Sequence, residues 1–182
     1  VTQVLEKNDW QVTQVFRAGN HHKEKADLVV SVGGDGTLLE SARFIRETPI
    51  LSVNSDPQNS VAHFSACNAA AFEKNLKLIG TRELPLRKVQ RLQVSINQKR
   101  LPHMILNDVL FAHRNPAHST RFILQQASKK HHLKCSGLWV STAAGSTAAI
   151  GSAGAKHLPF LSKRWQFLIR EPYGKHALSA GL

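Results

Sequence analysis

Asp27-Leu28-Val29-Val30-Ser31-Val32-Gly33-Gly34-Asp35-Gly36-Thr37-Leu38-Leu39-Glu40-Ser41-Ala42-Arg43-Phe44-Ile45-Arg46 decides the fold. Asp27 to Val32 is an apolar, β-branched run ending at glycines, the pattern of a buried strand in a parallel sheet. From Thr37 to Arg46 the apolar residues Leu38, Leu39, Ala42 and Ile45 recur at helical spacing, and Pro49 marks the exit. Pro49 to Val53 reads as a second short strand, followed by the turn-rich Asn54-Ser55-Asp56-Pro57-Gln58-Asn59-Ser60. Strand, helix, strand is the unit of an α/β layer. Gly33-Gly34-Asp35-Gly36-Thr37 therefore lies between a strand end and a helix start, where backbone N–H groups and the positive helix end receive phosphate oxygens. Three glycines let the backbone approach a pyrophosphate and leave one carboxylate projecting. The loop has neither the Gly-Lys-Ser/Thr ending of a Walker loop nor the dinucleotide Gly-x-Gly-x-x-Gly. A buried Asp beside phosphates is electrostatically costly, and the cost is understandable if Asp35 accepts a proton or helps hold a metal ion. The plainer alternative is a turn in which Asp35 caps the following helix.

Working outward, Asn68 to Ile79 reads as a helix with Phe72, Leu76 and Ile79 on one face. Beyond Gly80 the pattern turns to strands over Val89–Ile96, Met104–Ala112, Arg121–Gln126 and Leu138–Ser141, with a short helix expected in the small-residue stretch Gly145–Ala155. This predicts an α/β domain over residues 1–80 and a β-rich domain over 81–182. Asn107-Asp108 interrupts an apolar strand, where alternation points the two side chains to opposite faces unless a bulge turns both inward. Ser141-Thr142-Ala143-Ala144-Gly145-Ser146-Thr147-Ala148-Ala149 is hydroxyl-rich and small, which suits a close-fitting nucleotide site and equally an ordinary helix start.

Twenty-four Lys and Arg against twelve Asp and Glu, a net charge of +12 over 182 residues, call for an anionic partner. The basic residues are scattered and only 7% of residues are aromatic, which disfavours nucleic acid. No run of about 18 apolar residues and no signal-peptide pattern is present, so a soluble, cytoplasmic chain is expected. Cys67 and Cys135 make neither a disulfide framework nor a zinc pattern and read as small hydrophobes. None of the ten histidines is spaced as a helical metal pair, and His21-His22 and His131-His132 sit in basic stretches expected to be exposed.

The ordered set Gly33-Gly34-Asp35-Gly36-Thr37, Val53-Asn54-Ser55-Asp56, Asn107-Asp108, Gly137 through Ala149, and Ser152-Ala153-Gly154 resembles the NAD kinase family. Thr142 through Ala149, with Gln166-Phe167-Leu168-Ile169-Arg170-Glu171-Pro172, is most similar to the plant-type NADH kinase branch. The resemblance runs from about residue 27 to residue 173. It implies a Rossmann-like α/β nucleotide-binding domain followed by a β-sandwich domain, substrate between them, both ends incomplete, and a homo-oligomer, dimer or tetramer. It further implies ATP with Mg²⁺ as phosphoryl donor and NAD(H) as acceptor. Asp35 would be the general base for the adenosine-ribose 2′-hydroxyl, and Gly36 would lie against the dinucleotide along with Gly33, Gly34 and Thr37. Asn107 and Asp108 would contact substrate, and Thr147, Ala148, Ala149 and Ser152 would border adenine and ribose. The resemblance puts His63 in a loop near the substrate, with an ordinary loop histidine as the alternative; Lys134, Arg121 and Arg170 are candidates to assist phosphates, with a solvated surface charge as the alternative for each. Ser136 stands where many bacterial relatives have Asp beside the nicotinamide, and Ala149 where they have Tyr. A lost carboxylate removes an attraction for the cationic oxidised ring, so NADH is the expected preference. A lipid kinase sharing the Gly-Gly-Asp-Gly-Thr chemistry and a non-catalytic nucleotide- or nucleic-acid-binding module are the rival readings, and a peroxisomal location is the alternative to the cytoplasm.

Overall fold

A computed structural model describes residues 1–16, 25–174 and the backbone of 179–181; His21 and His22 lie outside the described residues. The chain forms two compact units, Val1–Arg87 with Ser95–Met104, and Lys88–Val94 with Ile105–Leu182.

The first unit opens with α1 (Thr2–Lys7) and continues through β1 (Val29–Val32), α2 (Asp35–Phe44), β2 (Ile50–Asn54), β3 (Cys67–Asn68) and α3 (Phe72–Gly80). β1 and β2 pair in parallel with Val29 opposite Ile50 and Val32 opposite Val53, and β2 pairs in parallel with β3. The β1–α2–β2 segment is the expected strand, helix, strand unit. Leu5, Leu51, Val53, Phe72 and Leu76 form the core, with Val4, Trp10, Leu28, Val30 and Ile79 packed against it. Burying such side chains contributes about 1.5–3 kcal/mol each.

Three expectations shift, the first being that α3 begins at Phe72 and leaves Asn68 in β3. β1 is half-buried, with Val32 45% exposed, because β1 is the edge of the three-stranded sheet and Val32 runs out into the glycine loop. α2 starts two residues before Thr37: Gly34 takes the N-cap position in extended conformation and its carbonyl accepts the N–H groups of Thr37 and Leu38. The helix stops at Phe44 because Ile45 turns to an extended ψ of 123°.

β4 (Leu92–Ile96) and β5 (Lys99–Ile105) pair around Asn97-Gln98, both at positive φ. The second unit continues with β6 (Asp108–Phe111), β7 (Thr120–Gln126), β8 (Lys129–Cys135), β9 (Gly137–Thr142), a 3₁₀ turn over Ala144–Thr147, α4 (Ala149–Ser152), β10 (Trp165–Arg170) and β11 (Ser179–Gly181). The sheet order is β11-β10-β9-β6, and β7–β8 is a separate antiparallel hairpin. Leu133 and Cys135 of the hairpin meet Leu138, Phe167 and Ile169 of the sheet, so two β-layers enclose one core. The strand expected over Met104–Ala112 is two strands broken at Leu106-Asn107. His131, expected to be exposed, is half-buried, since alternation along β8 puts it on the same face as Leu133 and Cys135.

Candidate functional site

Asp35 is the first residue of α2, and its carboxylate does not cap that helix. Instead Oδ2 accepts the backbone N–H of His63 and Oδ1 that of Phe64, both at 3.0 Å. It is half-buried, where the sequence suggested a buried carboxylate. Its position in the first helical turn places the negative charge at the favourable end of the α2 dipole, which offsets the cost of holding it there. The glycines before it have local work. Gly33 has φ of +152°, and a Cβ there would stand 2.9 Å from Thr37 Cβ; one on Gly34 would come to 3.2 Å from Ser60 Oγ. Gly36 is exposed and Thr37 half-buried.

In the second unit, Asn107 and Asp108 do not share a strand. Asn107 precedes β6, its carbonyl accepts Thr142 N–H at 3.0 Å, and its side-chain Oδ1 is buried without a hydrogen-bond partner among the described residues. Asp108 opens β6, and its Oδ2 accepts Ile150 N–H at 3.1 Å. α4 has Ala148 at its N-cap and so no side-chain cap of its own; Asp108 supplies one from 42 residues upstream. Burial pushes the Asp108 carboxyl above its ordinary pKa, and the Ile150 N–H works against that rise.

The hydroxyl-rich loop divides into two kinds of residue. Ser141, Thr142 and Ser146 are buried and bonded internally: Ser141 Oγ donates to Thr142 O, Thr142 Oγ1 to Leu106 O, and Ser146 Oγ accepts Leu158 N–H at 2.9 Å. Gly145 lies so close to Asn107 that a Cβ would stand 2.5 Å from its Cα, and one on Gly151 would stand 2.5 Å from Ser146 O. Thr147, Ala149 and Ser152 remain exposed and Ala148 half-buried. The structure therefore joins Asn107, Asp108 and Thr147–Ser152 into one cluster.

Ser136 is half-buried and donates its N–H to Arg170 O at 2.9 Å. The Lys134 ammonium sits 4.2 Å above the Tyr173 ring and lies across the hairpin from Arg121. The Arg170 guanidinium is 3.7 Å from Glu171. Cys67 is half-buried and burial raises its pKa, as befits a packing thiol. Among the described residues no group of three His, Cys, Asp or Glu is placed to hold a metal ion, and no helix is long and apolar enough to cross a membrane.

Sequence reasoning named Asp35 and His63, included Asn54 in a motif without giving it a role, and missed Phe64. Asn54 is 7% exposed at the end of β2, and its polarity at a buried strand end was the available signal.

Residues 2–83 match the family model of the ATP-NAD kinase N-terminal domain. The chain is 41% identical over 170 residues to a probable NADH kinase of Oryza sativa subsp. japonica, covering 80% of this chain and 52% of that protein. It is 36% identical over 176 residues to an NADH kinase of Arabidopsis thaliana, covering 84% and 56%. The chain thus spans about half the length of these relatives. In structure it is similar to an NAD kinase from Archaeoglobus fulgidus crystallised in complex with ATP, with a TM-score of 0.81 at 24% identity over 99% of this chain and 70% of that one. The α/β unit with its Gly-Gly-Asp-Gly-Thr loop carries the family-model match, and the chain is similar in sequence to plant NADH kinases and in fold to an NAD kinase.

Proposed function

We propose that this chain is the catalytic portion of an enzyme that transfers the γ-phosphoryl group of ATP to the adenosine-ribose 2′-hydroxyl of NADH or NAD, giving NADP(H) and ADP. The observation that carries the reading is the Asp35 carboxylate, held at the α2 N-terminus by two backbone N–H groups. Each carboxylate oxygen keeps a lone pair after accepting one N–H, so Asp35 retains capacity to take the hydroxyl proton. The deprotonating oxygen attacks the γ-phosphorus, the bond to the β-phosphate oxygen breaks, and ADP leaves. Mg²⁺ enters with ATP as substrate and neutralises phosphate charge, so the protein's task is alignment and proton acceptance.

In this reading Gly33, Gly34, Gly36 and Thr37 border the dinucleotide beside Asp35. Asn107 and Asp108 contact substrate, Thr147, Ala148, Ala149 and Ser152 border adenine and ribose, and Lys134 attracts phosphates. Ser136, in place of a carboxylate, favours the neutral reduced nicotinamide. Kinship with plant NADH kinases supports that preference. The enzyme works as a cytosolic homo-oligomer.

The test is NADP(H) formation from ATP-Mg²⁺ with NADH or NAD, read by an NADP-specific coupled reaction on folded protein. Product with either substrate, lowered about 10²- to 10⁴-fold in Asp35→Asn, is the expected outcome. A folded Asp35→Asn variant with wild-type turnover rejects Asp35 as base, and phosphorylation of diacylglycerol or a sphingoid base in place of NAD(H) transfers the chemistry to a lipid alcohol.

A further inference from the structure

The two N–H groups on Asp35 come from a segment with little regular structure between β2 and β3, and a specific device shapes that segment. Asn54 is buried at the end of β2. Its Nδ2 donates to Ser60 O and its Oδ1 accepts Asp56 N–H, each at 3.0 Å. The same carboxamide thereby grips both ends of the turn, which is closed by Ser60 N–H to Asp56 O at 2.9 Å. On its exposed side the Asp56 carboxylate accepts the Asn59 backbone and side-chain N–H groups. Leaving this turn, the chain passes Val61, 80% exposed, and Ala62, buried at φ of 44°. That left-handed residue costs an alanine about 1 kcal/mol and turns two successive N–H groups the same way. Beyond them, Ser65 N–H returns to Ala62 O and Ala66 N–H to Ser52 O, both at 2.9 Å, re-anchoring the chain beside β2.

We infer that Asn54 is a positioning residue for Asp35, acting through the 55–64 strap, whose His63 and Phe64 N–H groups fix the plane of the carboxylate. The inference rests on Asp35 being the base of the proposed kinase. With one N–H on each oxygen, rotation of the carboxylate about its Cβ–Cγ bond is arrested, and the remaining lone pairs have set directions. Asn54 touches no substrate; it sets the direction from which a hydroxyl must approach. Releasing the strap leaves Asp35 in place and its orientation free, so the loss falls on turnover and not on binding, in the manner of a misaligned reacting group.

The experiment combines amide exchange with steady-state kinetics on wild type, Asn54→Ala and Asn54→Asp. The Asp variant keeps the side chain's size and the acceptor for Asp56 N–H while removing the donor to Ser60 O, and it carries the test if the Ala variant does not fold. In a folded variant the His63 and Phe64 amides are expected to exchange at least ~10-fold faster, with the β1 and β2 amides unchanged. kcat is expected to fall by about 10²-fold with KM within about threefold. Unchanged His63 and Phe64 exchange overturns the inference alone, as does freed exchange with undiminished kcat. Absence of product from the wild-type chain overturns the kinase reading and removes the catalytic part of the inference with it.

Discussion

Asp35 and Asp108 are held by the same means in different settings. Each opens a regular element, and each accepts backbone N–H groups from a remote segment: 28 and 29 residues away for Asp35, 42 for Asp108. Asp35 receives two N–H groups at the N-terminus of a ten-residue helix. Asp108 accepts the Ile150 N–H, and burial outweighs it, raising the carboxyl pKa. Asp35 is a carboxylate in a fixed orientation with spare lone pairs, suited to receiving a proton. Asp108 organises the short α4 and pays in desolvation for doing so. Accepting a remote N–H does not decide what a carboxylate does; the number of donors and the loss of water do.

Substitutions separate the two. The largest effect is expected at Asp35→Asn, which loses about 10²- to 10⁴-fold in turnover and, with one acceptor left for two N–H groups, about 1 kcal/mol in urea unfolding. Next is Gly145→Ala, which drives a methyl into the Asn107 backbone. It is expected to lower stability by about 1–3 kcal/mol in urea unfolding, and an unchanged midpoint would show that the Asn107–Asp108 turn yields readily. Asp108→Asn is expected to act through pH. The folded pKa of Asp108 lies above its unfolded value, so the wild-type contribution is complete below about pH 4 and is lost as pH rises through the folded pKa. Wild type should therefore lose stability relative to Asp108→Asn as pH rises from about 4, and a pH-independent difference would show that burial does not penalise the Asp108 charge. The smallest effect is expected at Ser136→Asp. It should shift the ratio of kcat/KM for NAD over NADH upward by about threefold, the scale of a solvent-screened charge pair, and an unmoved ratio rejects Ser136 as a selector.

What the sequence disclosed follows from where chemistry shows in side chains. β1, the glycine loop and β2 were legible because β-branched residues, glycines and Pro49 punctuate them. The start of α2 was misplaced because Asp35-Gly36 read as loop, although Gly34 supplies the cap position. β8, Lys-Lys-His-His-Leu-Lys-Cys, was hidden by its charge, since only Leu133 and Cys135 mark the buried face. β5 was obscured by Pro102 and its exposed face, and β10 was unassigned although Phe167 and Ile169 alternate inward. At the candidate site Asp35 was legible and its partners were not, because His63 and Phe64 contribute backbone N–H groups that carry no residue signature. The hydroxyl-rich stretch read equally as a nucleotide site or a helix start, and Ser141, Thr142 and Ser146 bond internally, a distinction set by burial and invisible to spacing.

The cap that Asp108 gives α4 also orders events in time. Four residues are too few to nucleate a helix alone, and Ala148 offers no local help. α4 therefore depends for an acceptor in its first turn on Asp108, which stands opposite Ser141 where β6 pairs with β9. The loop proposed to border adenine is therefore expected to form on a sheet already assembled, and Asp108→Ala is expected to speed unfolding more than it slows folding, which stopped-flow kinetics would read.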